Sequence, residues 1–491
     1  MNGMALDRVD PEAAQSAEPG LGLWDAVSLV VGIVVGASIF RTAPVVFQNS
    51  GGPWQALAAW VLGGALSVVG ALCYGELATT YARNGGDYEY LTQAYGRWAG
   101  FLFGWTQLVA VWTASVGMMA YAFGDYGVRL MGLGQAATVW LAAAAVVGVA
   151  AVNLAGVAAG KWTQNVLTVA KVLGLVGIVA AGLWAATSAN GLSAEAVFHI
   201  APSIEKEKAG AASASFGLAM VFVLYAYGGW NDAAFVAAEV RDRRRNLPLA
   251  LVGGVAAVTL IYLAVNAAYL AALGFDGASA SQTPAADALA TALGTRASQL
   301  ASLLVMISAL GAINGMIFTG SRVFAAFGRD HRLFHWLGRR ERSAGSPGMA
   351  VAAQAGVTLA MIFAVGTPEG QRAINAAFAR LNLRAIPWKD YHGGFETLLA
   401  ATAPVFWALF LAVGAGLIVL RFKHPRRKRP FAVPWYPLPP LAFCTTCGFM
   451  LYSSIVYAQW LVLLGLAPVA LGIVLYAATH VRSRDALPRS G

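Results

Sequence analysis

Charge is scarce in this chain: only 11% of its 491 residues are Asp, Glu, Lys or Arg, against roughly 25% in soluble domains. Cysteine is scarcer still, at Cys73, Cys444 and Cys447 alone. Cys444 and Cys447 stand in a C-x-x-C spacing, but no histidine or second pair accompanies them and both lie in an apolar stretch. They read as small packing residues, and neither a metal site nor a cofactor is expected. Also missing are His-Glu-x-x-His, Gly-x-x-x-x-Gly-Lys-Ser/Thr and Gly-x-Ser-x-Gly. Those absences exclude metalloprotease chemistry, P-loop nucleotide hydrolysis and the serine-hydrolase elbow, so an enzyme is not expected. Any uphill work must draw on a gradient or on exchange.

What abounds is apolar surface. Hydrophobic residues fill 58% of positions and mean hydropathy is +0.63, which indicates an all-α polytopic membrane protein. About twelve spans fit the pattern, near 24–48, 54–76, 97–122, 135–155, 162–185, 214–238, 248–273, 297–325, 349–366, 397–420, 437–458 and 460–480. The tail 1–23 is short and polar, without a cleavable signal pattern. The net charge of +10 is topology rather than nucleic-acid binding. Arg241, Arg243, Arg244 and Arg245, then Arg329, Arg332, Arg339, Arg340 and Arg342, then Arg421, Lys423, Arg426, Arg427, Lys428 and Arg429 all fall on one side of alternating spans. The positive-inside rule puts that side, and both termini, in the cytoplasm of a bacterial-type inner plasma membrane.

Spans one to five (24–185) and six to ten (214–420) lay over each other as two five-helix units, each opening on an interrupted helix. An odd number of spans per unit inverts the second. An external loop (186–213) separates the units. A basic cytoplasmic loop (421–436), spans eleven and twelve (437–480) and a tail (481–491) follow. The alanine-rich external stretch 274–295 suggests a short re-entrant or surface helix. The insert 367–396 opens with Thr367-Pro368-Glu369, an N-cap, proline and acidic first turn. Ile374, Ala377, Phe378 and Leu381 then share one face, as in an interfacial helix on the outer leaflet; a lid or a partner surface is the alternative.

The two interruptions carry the chemistry. Val30–Phe40 reads Val-Val-Gly-Ile-Val-Val-Gly-Ala-Ser-Ile-Phe, and Leu224–Asp232 reads Leu-Tyr-Ala-Tyr-Gly-Gly-Trp-Asn-Asp. Lipid cannot satisfy loosened backbone or hydrate a carboxylate, so such segments survive only against protein or a cavity. Gly32 and Gly36 also make a Gly-x-x-x-Gly packing motif, the competing explanation. Paired interruptions point to a secondary transporter's midplane site. N–H groups of Ala37, Ser38 and Ile39, following Gly36, suit a carboxylate; carbonyls of Val34, Tyr225 and Gly228 suit an ammonium. Together they fit a zwitterion such as an α-amino acid. Tyr225, Tyr227 and Trp230 surround the second break, where aromatic rings can close over a side chain. Asp232 either fixes Asn231 and the kink, binds an amine, or carries a proton. Lys171 lies about 13 Å along span five, where a lysine costs about 2.5 kcal/mol or more unless it faces a polar interior. The loosened carbonyls of span one are its candidate partners. Glu76 sits at the cytoplasmic end of span two, placed for an inner-gate ion pair, and Glu239 reads as paired with nearby arginines.

At these residues the chain resembles the L-type amino acid transporters and their bacterial relatives in the amino acid–polyamine–organocation superfamily. The likeness runs from about Gly22 to Pro437. It is carried by Ala226-Tyr227-Gly228-Gly229-Trp230-Asn231 with Arg245-Asn246-Leu247-Pro248, by Tyr74-Gly75-Glu76-Leu77, and by Gly85-Gly86-Asp87-Tyr88-Glu89-Tyr90. Gly311-Ala312-Ile313-Asn314-Gly315 with Phe318-Thr319-Gly320-Ser321-Arg322, and Arg429-Pro430-Phe431-Ala432-Val433-Pro434, complete it. The resemblance implies the leucine-transporter-type fold, with a five-plus-five inverted repeat and broken helices one and six. It further implies alternating access and Na⁺-independent movement of neutral amino acids, often by exchange. Lys171 falls at the family's fifth-helix lysine, where its ammonium would occupy the place of a coupling Na⁺ in related architectures. Tyr225 stands where the family commonly has a gating Phe. Two departures matter. Ser38 replaces the second glycine of the family's Gly-Ser-Gly-Ile-Phe, which narrows the site, and the loop expected at Phe123–Gly134 holds no cysteine, so no disulfide-linked heavy chain is expected.

The sequence therefore supports an amino acid transporter working by exchange or proton symport. An amine or polyamine carrier of the same fold is the nearest alternative, and a non-transporting amino acid sensor is a more distant one.

Overall fold

The computed structural model describes residues 22–36, 38–81, 86–187, 216–231, 240–338, 347–388 and 393–485. The first helix stops short. α1 (Leu23–Val34) ends just before Gly36, a weak helix former, and α2 (Ile39–Gln48) resumes at Ile39. In the gap the Gly36 N–H turns back to the Val34 carbonyl at 2.7 Å, outside the α-helical ladder. α3 (Pro53–Thr80) starts on proline, whose missing N–H costs nothing in a first turn. The short α4 (Asp87–Tyr95) follows Gly86, held at φ 48°.

α5 (Arg97–Met131) carries a π-helical stretch at Gln107–Val111. It overturns the loop expected at Phe123–Gly134: the helix runs on through Met131 and ends on Gly132 at φ 65°, a left-handed stop that glycine takes without strain. α6 (Ala137–Leu154) and α7 (Val157–Thr187) come next. α8 (Phe216–Ala226) ends abruptly, and the chain turns through Gly229 at φ 103°. α9 (Arg243–Ala280) kinks at Gly274, whose φ is 68°. α10 (Pro284–Leu293) lies within the alanine-rich stretch 274–295. α11 (Thr295–Asp330), α12 (Gly348–Gly366), the insert helix α13 (Pro368–Arg380), α14 (Gly394–Lys423), α15 (Leu438–Ala458) and α16 (Val462–Asp485) complete the order.

Among the described residues eight apolar segments are long enough to cross a membrane, and one of them, Leu438–Ala478, joins α15 to α16 through a 3-10 turn. With the halved first helix, α7 and α8 they make up a polytopic all-helical membrane protein. α9 packs against α1, α3 and α7, while α11 packs against α5 and α7. α7 shows the logic of a helix between lipid and core. Val169, Val172, Leu173 and Val176 are exposed, whereas Lys171, Leu175 and Ile178 are buried at i, i+4 and i+7. One face meets lipid and the other meets protein.

The insert is docked onto the bundle. Thr367 caps α13 by accepting from the Gly370 N–H at 3.1 Å. Phe378 and Ile386 pack with Ala400 and Ala401 of α14 and with Ala458 and Leu461. Asn375 fastens the returning segment by accepting from the Ile386 N–H at 2.9 Å. Elsewhere on α2, Arg41 pairs with Asp125 of α5 at 3.3 Å and donates to the Gln282 carbonyl.

Candidate functional site

The two interruptions face each other across one side chain. The Tyr262 hydroxyl on α9 lies 3.0 Å from the Val34 carbonyl at the end of α1 and 2.8 Å from the Ala226 carbonyl at the end of α8. The Ser38 hydroxyl is its third polar neighbour. The single phenolic proton is therefore shared between carbonyls released by both breaks. Tyr262 is held there by Trp60 (centroids 5.3 Å apart) and Tyr227 (5.2 Å), and Tyr227 donates to the Trp60 carbonyl at 2.8 Å. Sequence reasoning missed Tyr262, one tyrosine among 16 with no unusual neighbours in its span.

This geometry revises part of the expected cage. The Val34 carbonyl already accepts from Tyr262 and from the Gly36 N–H. The Tyr225 carbonyl accepts from the Gly228 N–H at 2.9 Å. An arriving ammonium must displace or share these donors. On the opposite electrical side, Arg41 N–H is the first to return to Ser38. The N–H groups of Ser38, Ile39 and Phe40 thus precede the helical ladder and form the anion-attracting start of α2. Ser38 and Ile39 are buried. Ala37 and Asp232 lie outside the described residues, as does Glu239.

Lys171 reaches the first break. It is 3% exposed, and its Nζ donates to the Gly32 carbonyl of α1 at 3.3 Å. Gly311 of α11 gives its stem room: a Cβ there would stand 3.9 Å from Lys171 Cε and 3.2 Å from Leu167 Cβ. The ammonium thus ties α7 to the unwinding end of α1 while α11 presses from behind.

Around the second break, two cavities meet at α14. One is lined by Ser115 and Met118 of α5, Tyr225 of α8, and Thr402, Phe406 and Trp407 of α14. The other lies beside Gly228 and Trp230 and shares Phe406 and Trp407. Tyr225 leans edge-on against Phe395 at 6.1 Å, and Trp230 against Tyr74 at 5.0 Å. Asn231 is buried and donates to the Asp87 carboxyl of α4.

Glu76 stands apart from these groups, at the end of α3 beside the basic loops. Its carboxylate accepts from Arg421 Nε at 2.8 Å and from the Val433 N–H at 2.8 Å, and pairs with Arg429 at 3.3 Å. One acid therefore fastens α3, α14 and the loop before α15 together.

A family model described as "Amino acid permease" matches residues 21–477. The chain belongs to the amino acid permease family. The permease is 29% identical over 447 residues to the human b(0,+)-type amino acid transporter 1, covering 88% of this chain and 83% of that protein. It is 28% identical over 439 residues to the serine/threonine exchanger SteT of Bacillus subtilis, covering 89% and 91%. The mouse large neutral amino acids transporter small subunit 2 is 28% identical over 490 residues, covering 95% and 83%. The permease is accordingly a membrane transporter of amino acids and not an enzyme.

Proposed function

We propose that the permease carries neutral L-amino acids by alternating access, without Na⁺, either in exchange for another amino acid or together with a proton. The observation that carries this reading is the Tyr262 hydroxyl, which bridges the carbonyl ends of α1 and α8 with Ser38, at the start of α2, as its third polar neighbour. The substrate carboxylate sits on the N–H groups of Ser38 and Ile39, with Ala37 beside them. Its amine replaces the Tyr262 hydroxyl at the Val34 carbonyl, with Gly228 and Tyr225 close by. The side chain enters the cavity bounded by Tyr225, Ser115, Thr402 and Trp407, and Tyr225 and Trp230 close over it. Lys171 supplies the fixed positive charge at the first break. Similarity to a serine/threonine exchanger along most of the chain supports exchange, and the side chain of Ser38 narrows the site. The basic loops face the cytoplasm, the Glu76 clamp lies at the inner gate, and the chain works without a disulfide-linked heavy chain.

Uptake of a labelled amino acid panel into proteoliposomes tests this, with and without internal amino acids and with and without a proton gradient. Uptake into preloaded vesicles alone establishes exchange, and uptake driven by the proton gradient establishes symport. Silence toward every amino acid, with amines taken up instead, would replace this reading with the amine carrier.

A further inference from the structure

Asp87 is the first residue of α4, outside the membrane-crossing helices, and it is only 3% exposed. An acid in a loop rich in polar residues is ordinarily hydrated. Here its carboxyl is enclosed at the base of the second break. The Asn231 amide donates to it, and the buried Tyr74 hydroxyl, which has no other partner among the described residues, faces it from α3. Rings shut the chamber: Tyr74 lies against Tyr90, Trp230 and Phe443.

The charged and titratable groups on the surrounding elements are committed elsewhere or neutral. On α3, Glu76 is held by Arg421 and Arg429. On α14, Lys423 donates to the Ala94 carbonyl at 2.7 Å. On α4, Gln93 donates to Glu89, and Tyr90 is a buried neutral phenol. On α15, Cys447 stands behind Tyr74, and at the start of α5 Arg97 faces Tyr88. Among the described residues no cation is paired with Asp87; Arg83 and Asp232 lie outside them. Burial pushes the Asp87 carboxyl up to about 7, and the Tyr74 and Asn231 contacts offset only part of that.

We propose that Asp87 is a proton-binding site of the transport cycle, occupied when the second break is packed against α4 and emptied when that packing opens. The proposal rests on the alternating-access reading above. On closure a proton from water on the basic-loop side joins one Asp87 carboxylate oxygen; on opening the rehydrated carboxyl returns it to the same side. Asn231, itself part of the second break, couples the proton to it.

The sign follows from linkage. A carboxyl whose closed-state value is about 7 and whose hydrated value is about 4 favours closure most below pH ~4. That support is lost progressively as pH rises toward 7, and is flat above it. Closure of the basic-loop side therefore weakens between about pH 5 and pH 7.

Two readouts on reconstituted protein test this. Infrared difference spectra between pH 5 and pH 8 should show one protonated carboxyl titrating near neutrality, absent in Asp87→Asn. Transport should change several-fold with pH on the basic-loop side over that interval, and Asp87→Asn, fixed in the neutral form, should lose the dependence. A neutral-range carboxyl that persists in Asp87→Asn overturns the proposal, and so does a wild-type protein with no carboxyl titrating in that range, which needs no variant to fold. An unaltered pH profile in Asp87→Asn also overturns it. A carboxyl assigned to Asp87 in a protein that moves no amino acid keeps the proton site and removes the transport reading instead.

Discussion

Tyr262 and Lys171 attend the first break with different chemistry. Lys171 puts a full charge on the Gly32 carbonyl from a position 3% exposed, and a hydrogen bond to a charged group contributes about 1.5–3 kcal/mol. Lys171→Ala should lower exchange by about tenfold or more while membrane insertion, followed by size-exclusion profile, is unchanged; an undiminished rate would take Lys171 out of the cycle. Tyr262 instead satisfies the carbonyls that substrate needs. Tyr262→Phe leaves those buried acceptors bare in the empty carrier, at a cost of about 1–3 kcal/mol, and penalises the loaded carrier less. Net efflux into amino acid-free medium should therefore fall about tenfold more than exchange does; equal slowing of both would mean that the hydroxyl does not support return of the empty carrier. Of these two residues only Lys171 was legible in the sequence, because a lysine in an apolar span is an anomaly. A tyrosine there is not, and its role exists only once α9 is packed between the two breaks. Asp87 hid for the opposite reason: an acid beside Gly-Gly reads as solvated loop, and only the folded chain encloses it.

Helices whose pattern was strong were legible as elements, including the interruption of the first span. Boundaries were weaker where a local signal was overridden. The stretch from Phe123 reads as a loop because Gly124, Asp125 and Gly127 are poor helix formers, yet α5 continues to Met131. Asp125 is held there by Arg41, and Gly124 is required because a Cβ would lie 2.5 Å from the Thr138 carbonyl oxygen. The insert is a further case. Its amphipathic face suggested the outer leaflet, but Phe378 and Ile386 are spent on α14 and the α15–α16 turn. Phe378→Ala should cost about 3 kcal/mol, read as a lower melting midpoint of the solubilised protein with substrate selectivity unchanged. No change in melting would show that the contact contributes nothing to stability.

For the molecule as a whole, composition settled the membrane class, and the spacing of basic loops gave an orientation that labelling can check. With Cys444 replaced by serine and Cys73 and Cys447 buried, a cysteine at Arg427 should react with an impermeant maleimide only after cells are opened; labelling of intact cells would invert the topology. That experiment meets a constraint set by Glu76. Arg421 and Arg429 belong to the cluster of basic residues before α15, and they also hold the Glu76 carboxylate that fastens α3 to α14. The positive charge of this loop is thus taken up in the fold by an acid that lies 345 residues before Arg421 in the chain. Replacing either arginine would take from Glu76 one of the two guanidinium groups that hold it in the finished fold.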